Sequence, residues 1–341
     1  MKKVNTLPKK ILVTGATGFI GRAVVSELCH QGCNVVAMVR SAEQAELFEA
    51  EYAVMTVIAD ITDSSTLLAT LQSVDVVIHL AGIVWGDSSQ MHKTFVDGTK
   101  NLINAMHQAA VSRLILVSSV MVYDWLNISS TVNESSAEAN DEIARDQGIY
   151  SHAKVQQEAV AESYCNRYGI NLTVLRPGAV VSVDKTYTAD IGPSIGPLQI
   201  VIAPQRWLRL VNVKQVAETT VAACSENLST GLKVNLVDND PVSAWEFACD
   251  MKRISGKFTL LLPIPYRVIM LSAQFIYPLA KLFALDGYVP GLLCPDKIAS
   301  RFKSVTFDSN NWRKFLPLSS PFSVKEQLSN TFLISDKDTY Q

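Results

Sequence analysis

The chain has 341 residues, 48% of them hydrophobic and 18% charged, which excludes a disordered chain and leaves room for a large domain plus a smaller lobe. A net charge of −2, with no block of Lys or Arg, gives no reason to expect a nucleic-acid surface. Its six cysteines (Cys29, Cys33, Cys165, Cys224, Cys249 and Cys294) are scattered without C-x-x-C spacing or a His cluster, so no metal site is expected.

The apolar run after Lys9 and Lys10 is cut at Gly15, so it does not read as a signal peptide. A reducing cytoplasm is the expected compartment, and the Asn-x-Ser/Thr triplets at Asn127, Asn133, Asn171 and Asn227 read as chance. Ile11 to Val13 form a buried strand. Thr14-Gly15-Ala16-Thr17-Gly18-Phe19-Ile20-Gly21 turns from that strand into a helix that ends near Gly32. Gly15 permits the tight turn. Gly18 lets a pyrophosphate approach backbone N–H groups at the helix N-terminus, and Gly21 allows close helix packing. The spacing is G-x-x-G-x-x-G.

Further strands are read at 34–39, 53–58, 75–80, 113–118, 171–176 and 232–237. Helices fall at 42–50, 91–110, 155–168, 211–224 and 242–255. The strands are continuously apolar, as strands covered on both faces should be. This is an α/β chain with a doubly wound, Rossmann-like parallel sheet. Residues 8–178, with 211–238 returning, form the dinucleotide-binding unit. Residues 179–210 and 239–341 form a smaller, mostly C-terminal substrate lobe, in which 183–210 reads as a loop-rich lid. Ser129 to Ser136 reads as a polar loop. The apolar stretch 260–285 is interrupted by Pro and by Lys281, and its longest uncharged run after Arg267 is 13 residues, too short to span a bilayer. It reads as a buried helix, with membrane-surface contact as the weaker alternative.

Ser118-Ser119 stands at the C-terminal end of the fifth strand, where open α/β sheets bind ligands. Tyr150 and Lys154 lie on one helix face. An ammonium and a nicotinamide cation nearby favour the phenolate, so Tyr150 can exchange a proton with a hydroxyl while Ser119 holds the same oxygen. Arg40 ends the second strand, where a carboxylate would select NAD. Its guanidinium suits a 2′-phosphate, with Ser41 adding a hydroxyl, so NADP(H) is favoured and NAD(H) is the alternative. His79 reads as a satisfied core histidine and His152 as exposed. Cys29 and Cys33 read as half-buried apolar residues. Trp85, Tyr187 and Trp207 are candidates for lining a substrate pocket.

These segments, with His79-Leu80-Ala81-Gly82, Val122-Tyr123 and Leu175-Arg176-Pro177-Gly178, resemble the extended short-chain dehydrogenase/reductases. That group includes NAD(P)-dependent epimerases, dehydratases and reductases of the dihydroflavonol-reductase and 3β-hydroxysteroid-dehydrogenase kinds. The resemblance covers residues 10 to 240, and 307–316 look like the family's last strand and helix. It implies Ser119, Tyr150 and Lys154 as catalytic residues. Lys154 would also bind the nicotinamide ribose, Asp60 and Ile61 would lie by the adenine, and Leu80, Ala81 and Gly82 by the middle of the cofactor. Gly15, Thr17, Gly18, Phe19, Ile20, Gly21, Arg40, Tyr150, Pro177 and Gly178 complete the implied cofactor set.

Three departures stand out: Phe95 where the family often has Asn, Gly178-Ala-Val-Val-Ser182 in place of a run toward Tyr-Gly-Pro, and Asp124 after Tyr123. The implied function is hydride transfer between NAD(P)(H) and a carbonyl or secondary alcohol of a small molecule. A nucleotide-sugar epimerase or dehydratase is the alternative. The apolar lid, with only Lys185, Arg206 and Arg209 as basic groups, favours the oxidoreductase. A homodimer through residues 91–110 and 150–168 is expected, with Ile103, Met106 and Ala110 as its apolar face.

Overall fold

A computed structural model describes residues 10–182, 191–225, 231–238, 240–255, 260–283, 293–314 and 324. The chain opens with β1 (Lys10–Thr14), α1 (Phe19–His30), β2 (Asn34–Val39), α2 (Ala42–Tyr52) and β3 (Met55–Ile58). Next come α3 (Ser64–Thr70), β4 (Val76–His79), α4 (Ser88–His92), a π-helical turn (Lys93–Asp97), α5 (Gly98–Gln108) and β5 (Arg113–Val117). A 3-10 turn (Val120–Val122), β6 (Thr131–Val132), α6 (Asp141–Gln147), α7 (Ile149–Tyr168) and β7 (Asn171–Pro177) follow. The remainder comprises β8 (Ala179–Val181), β9 (Ser194–Ile195), β10 (Leu198–Ile202), β11 (Leu210–Asn212), α8 (Val213–Ala222), β12 (Leu232–Leu236) and α9 (Ala244–Ser255). Last are β13 (Leu260–Ile264), α10 (Tyr266–Leu282), α11 (Pro295–Phe302), β14 (Thr306–Phe307) and α12 (Asn310–Arg313).

Seven parallel strands form the main sheet in the order β12-β7-β5-β4-β1-β2-β3. Alternate residues of the central strands enter opposite cores. Ile11, Val13, Val35 and Ala37 pack with Val24 and Leu28 of α1 and Val216 and Val221 of α8. Leu12, Val36 and Met38 pack with Leu67 of α3, Leu102 and Met106 of α5, and Cys165 of α7. Both faces are covered, which is why the strands are apolar throughout. The strand order reverses direction at β1, which pairs with β2 on one side and β4 on the other. Open α/β sheets bind ligands at the C-terminal ends of the strands at such a point.

Several expectations are corrected. The lid contains short strands: β9 and β10 form a three-stranded sheet with β13, and β11 pairs with β8. Ser129–Ser136 is not all loop, because β6 pairs with β14. The 260–285 stretch is β13 followed by α10, and Ala273 is the one buried residue of α10. Ile103 and Met106 are fully buried inside the subunit, so they offer no face to a second copy. Phe315 and Leu316 lie outside the described residues.

Candidate active site

The glycine turn is shaped by its neighbours. Gly15 has φ +67°, and a Cβ there would lie 2.7 Å from the Ala81 backbone nitrogen. A Cβ on Gly21 would collide with the Gly15 and Ala16 carbonyls, so this glycine is required by the turn itself and not by helix–strand packing. Gly18 caps α1 without a side-chain hydrogen bond, and the first turn carries no acid. Around a Cβ on Gly18 the nearest atom is the Gly15 carbonyl oxygen, at 3.2 Å. The turn therefore leaves an open, acid-free helix N-terminus, which fits a pyrophosphate.

Thr14 ties this turn to the loop after β4. Its hydroxyl accepts from the Ala81 N–H at 3.3 Å and lies 2.7 Å from His79 Nδ1. His79 Nε2 lies 3.0 Å from Thr99 Oγ1. With both ring nitrogens engaged, His79 is a satisfied core histidine, and burial pushes it down to about 3. Leu80, Ala81 and Gly82 continue from it. A Cβ on Gly82 would lie 2.6 Å from the Phe95 ring.

Ser119, Tyr150 and Lys154 come together beyond β5. Ser119 caps the 3-10 turn, with its hydroxyl accepting from Met121 N–H at 3.2 Å. The start of α7 is held to that turn by Ser151, whose hydroxyl donates to the Met121 carbonyl at 2.7 Å. Lys154 Nζ donates to the Val117 carbonyl at 3.0 Å and to Gln157 Oε1 at 2.9 Å. Its ammonium lies 4.6 Å from the Phe95 ring centroid, and the Phe95 and Tyr150 rings meet edge to face at 6.0 Å. Gln157 Nε2 donates to Thr99 Oγ1 at 3.1 Å, which joins Lys154 to His79 and Thr14 through one buried chain of contacts.

Burial pushes the Tyr150 phenol up to about 12, and a hydrogen bond with Ser119 acts against that. Burial also pushes Lys154 down to about 7, against the attraction of Glu158. Desolvation thus dominates both groups, whereas the sequence reading gave the ammonium the larger influence on the phenol.

Behind the site, Arg176 is fully buried and paired with Glu158 through Nε–Oε1 at 3.0 Å and Nη2–Oε2 at 2.5 Å. It also donates to Tyr123 Oη at 3.1 Å and to Glu138 at 2.5 Å. This fork fixes β7 against α7 one helical turn beyond Lys154. Gln157 and Glu158 were missed in the sequence. Their signal was spacing, three and four residues beyond Lys154 on one helix face.

The other candidates are dispersed. Arg40 is exposed at the end of β2, where its N–H donates to Gln44 Oε1 at 3.0 Å. Among the described residues no carboxylate forms an ion pair with it, Glu43 included. Ser41 caps α2 by accepting from Gln44 N–H at 3.2 Å. Asp60 accepts from Thr62 N–H and hydroxyl at 2.8 and 2.9 Å, and Ile61 packs beneath Gly98. Pro177 ends β7, and at Gly178 a Cβ would meet the Arg209 carbonyl. Trp85 is 86% exposed. Trp207 lines a separate cleft of about 550 Å³ with Pro204, Trp245 and Pro263, which takes in none of Trp85, Ser119, Tyr150 or Lys154. Tyr187 and Lys185 lie outside the described residues. His152 is half-buried and not exposed as expected, and its Nε2 lies 2.7 Å from Asp141. Among the described residues, no cluster of His, Cys, Asp or Glu could hold a metal ion.

Residues 11–192 match the family model described as the NAD dependent epimerase/dehydratase family. The chain belongs to this family. Cinnamoyl-CoA reductase 1 of Arabidopsis thaliana is 31% identical over 182 residues, covering 51% of this chain and 53% of that protein. L-arabinose 1-dehydrogenase (NAD(P)(+)) of Haloferax volcanii is 27% identical over 184 residues, covering 52% and 69%. The match spans about half the length of the first of these. Among solved structures, gox2253 superposes with a TM-score of 0.75 at 22% identity, covering 96% of this chain and 97% of that one. UDP-glucuronic acid 4-epimerase from Bacillus cereus, in complex with UDP-glucuronic acid and NAD, superposes with a TM-score of 0.69 at 19% identity, covering 94% and 96%. In an epimerase/dehydratase-family chain the glycine turn, the Ala81 loop and Lys154 are the residues that would hold a dinucleotide.

Proposed function

We propose that this protein is an NAD(P)(H)-dependent oxidoreductase acting on a carbonyl or secondary alcohol of a small molecule. The observation that carries the reading is the meeting of Ser119, Tyr150 and Lys154 at the C-terminal edge of β5, linked across β4 to the open glycine turn of β1 through Phe95 and the Ala81–Gly82 loop. When bound, the nicotinamide gives or takes the hydride. Tyr150 Oη then gives or takes the proton at the substrate oxygen, and Ser119 holds that oxygen by a hydrogen bond. Lys154, anchored on Val117 and Gln157 one helical turn beyond Tyr150, would hold the nicotinamide ribose, and its protonated form would favour the phenolate against the burial that raises it.

The lid supports a substrate other than a nucleotide sugar. Ile191, Val201 and Ile202 are buried apolar groups. Arg209 is turned inward, donating to the Ser300 and Arg301 carbonyls at 2.7 Å each and lying 4.1 Å from the Trp125 ring centroid. Arg206 is 1% exposed beside Phe302. Neither is presented to a substrate diphosphate. The relatedness to cinnamoyl-CoA reductase and L-arabinose dehydrogenase points the same way.

The purified protein is to be screened against aldehydes, ketones and UDP-sugars, with NADPH and NADH absorbance as readout. The reading expects net cofactor oxidation with a carbonyl compound, and a fall of at least about 10²-fold in turnover for Tyr150→Phe. Conversion of a UDP-sugar with no net change in cofactor would establish the epimerase alternative instead.

A further inference from the structure

Residues 251–285 contain five basic side chains (Lys252, Arg253, Lys257, Arg267 and Lys281) and no Asp or Glu, in a chain whose net charge is −2. Within this stretch α10 meets the body along one narrow stripe. Tyr266, Ile269, Met270 and Ala273 pack with Ile202, Ala203, Ile298 and Phe302. A rotation of about 100° per residue puts Val268, Leu271, Phe275, Leu279 and Leu282 on the opposite side. All five are more than half exposed, Phe275 and Leu282 at 78%. A solvated surface helix has the reverse polarity, with its polar side facing away from the body.

The neighbouring sheet extends this surface. Leu198 pairs with Ile195 on one side and Leu260 on the other, and Ile200 pairs with Leu262. Paired residues, and residues two apart along a strand, share one face. Ile200 packs into the same cluster as the inner stripe of α10, so this face lies on the α10 side. Ile195, Leu260 and Leu262 are 65%, 60% and 45% exposed on it. An exposed apolar surface of this extent marks an interaction site.

Charge selects the occupant. A second copy related by a two-fold axis would present the same cations, Arg267 and Lys281; among the described residues the carboxylate near Lys281 is Asp296 of α11, which packs under α10 within the same subunit. An anionic lipid surface meets both. The helix has 17 residues with Pro278 inside it, and no described helix is long and apolar enough to cross a membrane. We propose that the outer face of α10, together with Ile195, Leu260 and Leu262, docks this protein flat on an anionic bilayer surface. The apolar side chains enter the boundary between headgroups and acyl chains, and Arg267 and Lys281 meet the lipid phosphates.

The test is flotation of the whole protein with vesicles of phosphatidylcholine alone and of phosphatidylcholine mixed with phosphatidylserine. Binding to the mixed vesicles is expected to be at least about tenfold tighter, and to weaken with salt. The double variant Leu271→Glu/Phe275→Glu should lose flotation while keeping the parent's thermal melt. Arg267→Gln/Lys281→Gln, which leaves the apolar face intact, should remove most of the preference for the anionic lipid. The proposal is overturned if the parent floats with neither vesicle, or if the glutamate variant floats as well as the parent. It is also overturned if light scattering shows a dimer that the glutamate variant dissociates while neither protein binds vesicles, since a second copy then covers the face.

Discussion

The Lys154 ammonium donates to Gln157 Oε1 at 2.9 Å, and the same amide passes a hydrogen bond on to Thr99 at 3.1 Å. Phe95, which stands where the family often has Asn, fills the space beside the ammonium with a ring and supplies no acceptor. The position of the charge is therefore set by the amide of Gln157 and the carbonyl of Val117.

Gln157→Ala should leave the buried Lys154 and Thr99 each short of a partner. An unsatisfied buried polar group costs about 1–3 kcal/mol. The urea midpoint of the cofactor-free protein should fall accordingly, and turnover should fall with it. An unchanged midpoint would mean that Lys154 is held by other groups.

His79 gives a pH dependence of stability. Its folded value near 3 lies below the ordinary 6.5, so between those values the unfolded chain binds the extra proton. Stability must then rise with pH through this window and be lost as pH falls through it. The contribution amounts to about 2 kcal/mol between pH near 7 and pH near 5. Urea titrations at the two pH values should show that difference in the parent and a smaller one in His79→Gln. Equal pH dependence in the two proteins would show that other groups set the slope.

Two glycines of one turn should respond differently. Gly21→Ala forces a methyl into the Gly15 and Ala16 carbonyls, so the melting temperature should drop by several degrees. Gly18→Ala meets only the Gly15 carbonyl oxygen, at 3.2 Å, and its φ of −74° suits any residue. It should change stability little and weaken NADPH binding at least about tenfold, about 1.4 kcal/mol, by blocking the approach to the helix N-terminus. Thermal melts and fluorescence titrations of both variants separate the two effects.

Arg40 should set the cofactor. NADPH is expected to bind at least about tenfold more tightly than NADH, about 1.4 kcal/mol. Arg40→Asp removes an attraction and adds a like charge, so the preference should vanish or reverse. Equal affinities in the parent, measured by fluorescence, would make Arg40 an ordinary surface residue.

The main sheet was legible because its central strands send alternate residues into two cores, as Leu12 and Val13 do, and so appear as unbroken apolar runs. The glycine turn and the Tyr150–Lys154 pair were legible because both depend on short-range spacing. The lid strands were not, because Ser194–Ile195 and Leu198–Ile202 are short and bounded by Pro193, Gly196 and Pro197, which read as loop. Apolarity misled twice. Ile103 and Met106 looked available to a partner and are core, whereas Phe275 and Leu282 looked like core and are exposed. Periodicity identifies a face but not what lies against it. The contacts of Lys154 with Val117 and of Gln157 with Thr99 join α7 to β5 and α5, and no local pattern encodes that.

The π-helical turn at Lys93–Asp97 joins two surfaces with different demands. Ahead of it and within it, Met91 and Phe95 face Ala153 and Tyr150. Beyond it, Leu102 and Met106 face the sheet, and Thr99 reaches His79. A π turn carries one residue more per turn than an α-helix, and one residue corresponds to about 100° of helical phase. The angular offset between the ring beside the ammonium and the side chains on the sheet is thus a matter of residue count. Removing one residue from this segment would keep both helices but rotate one surface away from the other, while a substitution at the exposed Lys93 would leave their phase unchanged.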